Sequence, residues 1–542
     1  LSQWPALSSA QQTLAVGATL VNYLRGNKTY EDSNSNAVPL NRLFRTREAV
    51  LGDLIDAQPV YMGKPQLSYV DSGYSAFAVT QTTQYATTGG TVYAASNDGM
   101  LHAFDARNGN ERWAFIPTPV LPELWRLADN AYGSNHRNYV NGTPVVTDVY
   151  CPSNCGTPST ARWKTILVGG LNGGGRGYYA IDVTNPDSPS LLWEFTNAND
   201  KDLGYTFGNP IVTKKSDGTW VVVFASGYNN ATAGNDTNGD GKGYVYVLNA
   251  NTGSLLSKIP TNEGSNADPS GLAKLAGWAD NITKNNTVGS IYGGDLKGNL
   301  WRFNINTGTA FKLAVLRDSS MLPQPVTSEP SLGLVNGKHV VFVGTGQYLG
   351  SSDLTTTQRQ TVYAIKDDNN TSTIDTPRTA TGANTFVAQT LTSNPLNPAN
   401  RIGSNNAVDW TSQGGWYVDL FTALSGEGSE RVHVNMDLTQ GVLAFASTVP
   451  ASSVCNPGGY GYFTYLNYAT GGYVPGSPGG VTSYRVDNVI VGINVIYINQ
   501  KPKYLIVKSN DPTPKPPPAD PPGGGGSGGF QGKRAIWREL IQ

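Results

Sequence analysis

The chain has 542 residues, a formal net charge of −1, an isoelectric point near 6.5 and only 14% charged residues, against about 25% in an average globular protein. This charge balance excludes the global basic field that would recruit nucleic acid or an anionic membrane. No apolar run approaches the roughly 18 residues of a transmembrane helix. The chain begins at Leu1 without a visible signal peptide, so we expect a processed or trimmed polypeptide.

The composition predicts an all-β fold. Glycine and proline contribute 63 and 33 residues, and there are 28 tyrosines. Such a composition favours turns and short strands over long solvated helices. The exception is a helical lead at 1–48, where SSAQQTLAVGATLVNYLRG spaces its apolar residues at roughly helical intervals and Gly26 follows as a stop signal.

A recurring phrase organises residues 49–508. It consists of an apolar strand, a glycine-rich turn, a strand with alternating aromatic residues, and an Asx-x-x-x-Gly turn into a further strand. One such sheet cannot bury both of its faces alone, whereas radially arranged sheets can, as in the blades of a β-propeller. Copies begin near Val92, Ile166, Val221, Ser290, Val340, Gly414 and Gly461.

The uneven spacing of the copies predicts long loop insertions and six to eight blades, with seven preferred. Trp113 and Trp193 occur late in their copies, and we expect them to pack between blades. A pair of β-sandwiches is the alternative architecture. The repeated Asx, Gly and Trp phrase favours the propeller.

The end of the sequence predicts a linker followed by a short docking tail. Residues 509–529, SNDPTPKPPPADPPGGGGSGG, predict a linker that is stiff where proline-rich and flexible where glycine-rich. Residues 530–542 follow as a short docking tail, which binds either the chain's own propeller or a partner protein. Its apolar anchors are Ile536, Trp537, Leu540 and Ile541.

Two of the three cysteines lie close together in VYCPSNCGTP, as Cys151 and Cys155. A CxxxC pair without another cysteine or a nearby histidine is a poor zinc site, which leaves a small-loop disulfide or two free thiols. The disulfide is favoured because low lysine content and long loops are typical of extracellular proteins. Cys455 has no obvious partner, and we expect it to be unpaired.

The stretch GNDTNGDGKGYVYVLNANTG contains a candidate calcium loop. Asp236, Asn238 and Asp240 fall at positions 1, 3 and 5 of a Dx[DN]xDG pattern. Alternate residues of a tight loop point their oxygen atoms at one centre, and Ca²⁺ takes six to eight oxygen ligands. The remaining predicted ligands are the backbone carbonyl of Lys242 at position 7, and Tyr244 at position 9 through its backbone or a water.

This loop is incomplete as a calcium site. The bidentate glutamate expected at position 12 is replaced by Val247. The alternative is an Asx-rich turn whose side chains bond to their own backbone. Because the loop supplies two carboxylates and an amide, calcium is the predicted cofactor, and the missing glutamate predicts a modest affinity.

The sequence offers few candidate catalytic residues, and it predicts a protein that is not an enzyme. Its four histidines are scattered, and His102 is expected to pack within a strand. AFDARNGNERWAF resembles the tryptophan-docking repeat of pyrroloquinoline-quinone dehydrogenases. Those enzymes have a pair of adjacent cysteines, which this sequence lacks.

Several stretches together resemble the C-terminal propeller of the PilC/PilY family of type IV pilus tip-associated proteins. They are VNYLRGN, VLGDLIDAQPVY, VYAASNDGMLHAFDARNG, YGGDLKGNLWRFN and the closing WRELI. The resemblance implies a modified seven-bladed, quinoprotein-alcohol-dehydrogenase-like propeller. It also implies export to the pilus tip or outer membrane of a Gram-negative bacterium, with roles in adhesion and in pilus extension and retraction, hence twitching motility. Calcium regulates some members.

Two positions depart from the family pattern. Where the family's acidic calcium loop often stands, the sequence reads DNITKNNTVGSIYGGD, so that neutral Asn281, Thr283, Asn285 and Gly289 replace the acids. Asn27 stands where some relatives carry the aspartate of an integrin-type tripeptide. The sequence also contains no counterpart of the family's usual N-terminal half, which often includes a von Willebrand A-like domain.

The resulting hypothesis is a non-enzymatic, extracellular pilus-tip adhesin and pilus biogenesis factor. Its loops would contact a host or abiotic surface, and its tail would dock on minor pilins or on the propeller. The alternatives are a carbohydrate-binding propeller and a calcium-dependent quinoprotein-like dehydrogenase.

Overall fold

The computed structural model describes residues 1–33, 38–152, 162–231, 239–421, 427–451, 458–498 and 501–522. The chain divides into two compact units. The first comprises Leu1–Pro210 together with Asn249–Ser254, and the second comprises Ile211–Leu248 together with Leu255–Gln542. Within the described ranges, no helix is long and apolar enough to cross a membrane.

The first unit combines short helices with antiparallel strands. Its α-helices are α1 (Ser9–Leu14), α2 (Ala18–Leu24) and α3 (Tyr74–Thr88), and 3₁₀ turns cover Trp4–Ala6, Pro39–Asn41, Thr118–Ala128 and Asn130–Ser134. Its strands are β1 (Val60–Met62), β2 (Thr91–Ser96), β3 (Met100–Asp105), β4 (Glu111–Phe115), β5 (Val145–Tyr150), β6 (Trp163–Gly170), β7 (Gly177–Asp182) and β8 (Ser190–Thr196).

Helices α1 and α2 lie inside the segment predicted to be helical. A capping box opens α1, because the Ser8 hydroxyl accepts from the backbone N–H of Gln11 and the Gln11 side chain accepts from the backbone N–H of Ser8. Helix α3 was not predicted. Its sequence, YSAFAVTQTTQYATT, is rich in β-branched and aromatic residues that are typical of strands.

Two four-stranded sheets form the body of the first unit, in the orders β1-β2-β3-β4 and β5-β6-β7-β8. Neighbouring strands are antiparallel throughout. A common core joins the two sheets, with Tyr93 and Leu101 from one and Leu167 and Tyr179 from the other almost fully buried. Each sheet therefore buries a face that it could not shield alone.

In its described residues, the second unit consists of strands with three short 3₁₀ turns at Ser351–Thr355, Gly382–Asn384 and Pro478–Gly480. Its first strands are β9 (Ile211–Lys214), β10 (Trp220–Ala225), β11 (Lys242–Asn249), β12 (Leu255–Gly264), β13 (Leu275–Asn281), β14 (Asn285–Gly294), β15 (Asn299–Asn304) and β16 (Thr309–Val315). Next come β17 (Ser331–Val335), β18 (Lys338–Gly344), β19 (Thr361–Lys366), β20 (Phe386–Gln389), β21 (Leu391–Asn394), β22 (Asn397–Gly403) and β23 (Gly415–Asp419). The last are β24 (Asp437–Thr439), β25 (Val442–Val449), β26 (Tyr460–Asn467), β27 (Val481–Asp487), β28 (Ile490–Ile498), β29 (Lys501–Lys508) and β30 (Asp511–Lys515).

These strands form four sheets. Strands β12-β11-β10-β9-β14-β15-β16 are consecutive neighbours in the largest, with β13 paired to β14. The others have the orders β17-β18-β19-β23-β20, β21-β22-β27-β26-β25-β24 and β28-β29-β30. The all-β prediction is confirmed and the sheets are propeller-like, while the count of seven blades stays a prediction. Strand β30 lies inside the segment 509–529 that was predicted to be a linker. It pairs with β29, and the Asp511 side chain at its start accepts from the Thr513 N–H at 3.0 Å.

The recurring Asx-x-x-x-Gly phrase has the same geometry in four copies. In each copy the Asx side-chain oxygen accepts from the N–H two residues later at 2.9 Å. The Asx carbonyl accepts from the glycine N–H at 2.7–2.9 Å, and φ of that glycine lies between +69° and +75°. Only glycine adopts this left-handed conformation without strain. The copies are Asp105–Gly109, Asn249–Gly253, Asn304–Gly308 and Asn467–Gly471.

Tryptophans dock on two of these turns, Asn249–Gly253 and Asn467–Gly471, and on the β7–β8 turn. In the first unit, Trp113 Nε1 donates to the Pro186 carbonyl at 2.8 Å and Trp193 Nε1 donates to the Ala250 carbonyl at 2.9 Å. A Cβ added to Gly253 would lie 2.5 Å from the Trp193 ring, so the indole occupies the space that a side chain would need. The prediction that Trp113 packs between neighbouring sheets is confirmed, because Pro186 lies in the β7–β8 turn.

A buried carboxylate pins α3 to the second sheet of the first unit. Asp148 on β5 is 1% exposed and accepts from Tyr74 Oη at 2.8 Å and Thr165 Oγ1 at 2.6 Å. Burial without a cationic partner among these contacts raises the pKa of Asp148 to about 6, although the two hydrogen bonds oppose the shift. Around this pair, Tyr69 and Trp163 pack against the Tyr74 ring.

Asp148→Asn should remove a pH dependence of stability. The pKa in the folded state, about 6, lies above the ~3.9 of an exposed aspartate. The stabilising contribution is therefore complete below pH 4 and is lost as the pH rises through 6. We expect the free energy of unfolding of the wild type to fall between pH 4 and pH 7 by roughly 2 kcal/mol more than that of the variant. Denaturant titrations at each pH measure the free energy of unfolding of the two proteins, and parallel pH profiles would contradict a raised pKa of Asp148.

Candidate functional site

The described part of the predicted calcium loop forms a polar turn. Asp236 and Asn238 lie outside the described residues. Asp240 Oδ1 accepts from the Lys242 N–H at 2.9 Å, and Oδ2 accepts from Tyr244 Oη at 2.7 Å. The side chain is partly buried, which opposes ionisation, but these hydrogen bonds and the nearby Lys242 ammonium hold the pKa of Asp240 below its usual value.

The other predicted ligands of this loop also have internal partners. The Lys242 carbonyl accepts from Asn230 Nδ2 at 2.7 Å, and the Lys242 ammonium lies 3.6 Å from Asp240 Oδ2. Among the residues that the structure describes, no group of three or more His, Cys, Asp or Glu side chains is placed to hold a metal ion. The described residues thus fit an Asx turn better than a cation cage, and calcium binding here remains a proposal.

The position at which the family often carries its acidic loop is the tip of the β13–β14 hairpin. Thr283 Oγ1 donates to Asn281 Oδ1 at 3.1 Å, and Thr287 Oγ1 donates to Asn285 Oδ1 at 2.7 Å. Asn281 and Asn285 are paired across the hairpin. Their amide oxygens therefore serve the turn itself.

Acidic residues in the most distinctive sequence phrases anchor turns. In GGDLKGNLWRF, buried Asp295 accepts from the Asn299 N–H, from Asn299 Nδ2 and from Trp301 Nε1, each at 2.9 Å. In NDGMLHAFDA, His102 Nε2 lies 3.0 Å from Asp98 Oδ2, and His102 Nδ1 lies 2.6 Å from Glu111 Oε1 on the next strand. Burial lowers the pKa of His102, but the two carboxylates outweigh it and raise the pKa overall.

The first unit also carries an open depression of about 510 Å³ beside the 3₁₀ turns Thr118–Ala128 and Asn130–Ser134. Asp129 caps the second turn by accepting from the Ala131 N–H at 2.8 Å. We call this concavity the Tyr132 depression. Its lining residues are Arg126, Asp129, Ala131, Tyr132, Ser134, Asn135, His136 and Arg137.

Two guanidinium groups meet one carboxylate at the rim of the Tyr132 depression. Arg126 Nε donates to Glu123 Oε2, and Arg137 Nη1 lies 3.8 Å from the same oxygen. The side chains of Arg126, Arg137 and Glu123 are 33%, 53% and 43% exposed. These charges are therefore accessible to solvent, and the carboxylate balances only one of the two arginines.

The floor of the depression is Tyr132, whose ring is buried. The Arg45 guanidinium lies 4.8 Å from the ring centroid, and the His136 ring lies 5.6 Å away. His136 Nε2 lies 3.1 Å from an Asp53 carboxylate oxygen. The segment ADNAYGSNHRN contains no metal-binding or catalytic spacing, so the sequence predicts no role for it. The one available signal was two basic residues, His136 and Arg137, side by side in a weakly charged chain.

Comparison with known proteins identifies the family. A family model described as the PilY1 β-propeller domain matches residues 51–314. A type IV pilus biogenesis factor PilY1 homolog of Xylella fastidiosa is 33% identical over 491 residues, which is 84% of this chain and 31% of that protein. PilY1 of Pseudomonas aeruginosa strain PAK is 32% identical over 510 residues, which is 84% of this chain and 41% of that protein. The chain belongs to the PilY1 family.

The structure agrees with this assignment. The crystal structure of the P. aeruginosa PilY1 C-terminal domain superimposes with a TM-score of 0.61 at 25% sequence identity, covering 85% of this chain and all of that domain. The chain spans about a third to two fifths of the length of the curated relatives. It therefore corresponds to the propeller region of PilY1-family proteins.

Several predicted site residues lie outside the described residues. Cys151 is buried and disulfide-bonded, whereas Cys155 and Cys455 lie outside the described residues, so the predicted pairing of Cys151 with Cys155 stays a prediction. The same holds for the predicted docking anchors, which also lie outside the described residues. They are Ile536, Trp537, Leu540 and Ile541.

Titration calorimetry of the purified chain tests the calcium proposal. Saturable Ca²⁺ binding that Asp236→Ala and Asp240→Ala each weaken at least tenfold would support the loop, because each variant removes a charged ligand. Asp217→Ala is the matched control, since Asp217 also accepts from a backbone N–H two residues later, at 2.9 Å from Thr219 N. Absence of binding, or equal binding by all variants, would leave only an Asx turn.

Proposed function

We propose that this chain is the propeller module of a type IV pilus biogenesis factor. The observation that carries the proposal is the match to the whole PilY1 C-terminal domain of P. aeruginosa, at a TM-score of 0.61. The identities of 32–33% to proteins named type IV pilus biogenesis factors support it over 84% of the chain. In this role the module acts outside the cytoplasm of a Gram-negative bacterium, at the pilus tip or outer membrane.

The module works by contact. Sheets buried on both faces leave the connecting loops as the surface that meets a host cell, an abiotic surface or a partner protein. The described acidic and histidine residues that stand out by sequence, Asp98, His102 and Asp295, hold turns together. Their structural role supports a non-enzymatic function. Adhesion, twitching motility and control of pilus extension and retraction, with calcium as a regulator, are the finer parts of the proposal.

Loss of the propeller region should abolish surface pili. We expect an in-frame deletion of residues 49–508 in the source bacterium to remove most sheared surface pilin and to stop twitching, and the wild-type gene to restore both. Immunoblots of sheared pili and electron microscopy measure piliation, while whole-cell pilin serves as the expression control. Normal piliation and twitching in the deletion strain would contradict the proposal.

Docking of the tail on minor pilins can be tested separately. Deletion of Phe530–Gln542 should reduce the amount of the protein that co-purifies with sheared pili, because it removes all four apolar anchors. Replacing residues 530–535 by a Gly/Ser segment of equal length is the matched control and should change nothing, since it keeps all four anchors and the tether length. Unchanged co-purification of the tail deletion would count against docking on the pilus.

A further inference from the structure

The Tyr132 depression has the chemistry of a ligand site that the pilus role does not use. We propose that it binds an acidic saccharide, that is, a carbohydrate carrying carboxylate or sulfate groups. The inference concerns binding by the chain itself, so it stands or falls independently of the pilus function.

The anionic group of the ligand is recognised by Arg126 and Arg137. Arg126 Nε donates to Glu123 Oε2 and Arg137 Nη1 lies 3.8 Å from the same oxygen, so the two guanidinium groups flank one place. A guanidinium has five N–H donors, and one glutamate cannot satisfy two such groups. A carboxylate or sulfate entering the rim can take paired hydrogen bonds, which is the geometry that arginine favours.

Glu123 is then a built-in competitor for the ligand. It occupies the position in which an anion would sit, and its side chain is 43% exposed, so it can turn away into solvent. The remaining carboxylate of the lining, Asp129, is committed elsewhere. It accepts from the N–H groups of Ala131 and Ser2 at 2.8 and 2.9 Å.

The rest of the lining suits hydroxyl groups. Ser134 Oγ and Asn135 Nδ2 both donate to the Ala131 carbonyl, at 2.9 and 3.2 Å, which orients the hydroxyl lone pairs and the amide oxygen as acceptors. His136 adds an imidazole ring, whose Nε2 lies 3.1 Å from Asp53 Oδ1. The volume of about 510 Å³ lies within the roughly 300–1,000 Å³ of small-molecule sites.

The same lining disfavours an acidic peptide as the ligand. Only Ala131 and Tyr132 contribute apolar surface, and Tyr132 is 7% exposed. A peptide would need pockets for side chains next to its acidic groups. A saccharide needs closely spaced donors and acceptors around a charged group, and the depression supplies these.

Binding of defined oligosaccharides to the purified chain tests the proposal. The probes are an oligogalacturonate, a sulfated galacto-oligosaccharide and the neutral galacto-oligosaccharide of equal length, titrated by calorimetry at 50 and 300 mM NaCl. We expect saturable binding of at least one acidic probe, at least tenfold tighter than the neutral one, and weaker binding at the higher salt concentration. The better acidic probe identifies carboxylate or sulfate as the recognised group.

Three variants separate this site from a general effect on folding. Arg137→Ala should weaken binding about tenfold, the effect of losing one charged hydrogen-bonding group. Glu123→Gln should tighten binding several-fold, because it removes the competing charge while keeping the shape. Arg107→Ala is the matched control, since Arg107 is 54% exposed and ion-paired with Asp105 in the same unit. It should bind like the wild type, and thermal unfolding checks that each variant is folded.

Several outcomes would overturn the proposal. These are absence of saturable binding to either acidic probe, equal binding by Arg137→Ala and the wild type, or no gain in Glu123→Gln. Binding of a poly-glutamate peptide as tight as that of the acidic saccharides, with the same dependence on Arg137, would replace the saccharide by a general anion site. Loss of piliation in these variants plays no part in the test.

Discussion

The rest of the structure depends on one repeated contact, between a tryptophan and an Asx turn. The turn fixes its own shape, because an Asx oxygen accepts from the N–H two residues later and a left-handed glycine closes the loop. This shape leaves a backbone carbonyl that accepts a hydrogen bond from the indole N–H. It also leaves an open space beside the glycine, which the indole ring fills. Trp193 meets the turn at Ala250 and Gly253 in the first unit, and Trp416 meets the turn at Tyr468 and Gly471 in the second. The sheets that contain Trp193 and Trp416 thus gain an anchor of fixed direction that apolar contact alone does not supply, since hydrophobic burial is non-directional.

Buried polar groups supply a second set of fixed points. In the second unit, Arg401 and Glu430 form a buried ion pair with N–O distance 2.6 Å, and the guanidinium lies 3.5 Å from the Tyr462 ring centroid. A buried pair of this kind is weak evidence for added stability, because desolvation of both charges opposes their attraction. Its geometry nevertheless places Glu430 against Ser447 Oγ and the Phe421 N–H. Arg401 and Glu430 thus act as fixed points within the second unit, in a chain with few charged residues.

The local phrases of the sequence were sufficient to predict the strands but not their grouping. Alternating residues and Asx-x-x-x-Gly turns repeat at short range, so positions such as Val92, Ile166 and Val221 fall within strands β2, β6 and β10 as expected. The sheet order around β9 and β14 depends on one long-range parallel pairing, Thr287 with Lys214, which has no local signal. The Tyr132 depression was missed for the same reason. Its lining residues and Glu123 are close in sequence, but Arg45 and Asp53 become its neighbours only through tertiary packing.

The most direct test of this account compares two glycine substitutions by denaturant unfolding of the purified chain. Gly109 and Gly253 close equivalent turns at φ +75° and +69°, yet a Cβ at Gly109 meets nothing within 4 Å whereas one at Gly253 meets the Trp193 ring at 2.5 Å. Gly109→Ala should therefore cost only the left-handed strain, about 1 kcal/mol. Gly253→Ala should cost a further 1–3 kcal/mol or so from displacement of the indole. Equal losses for the two variants would mean that tryptophan docking on Asx turns does not hold the fold together.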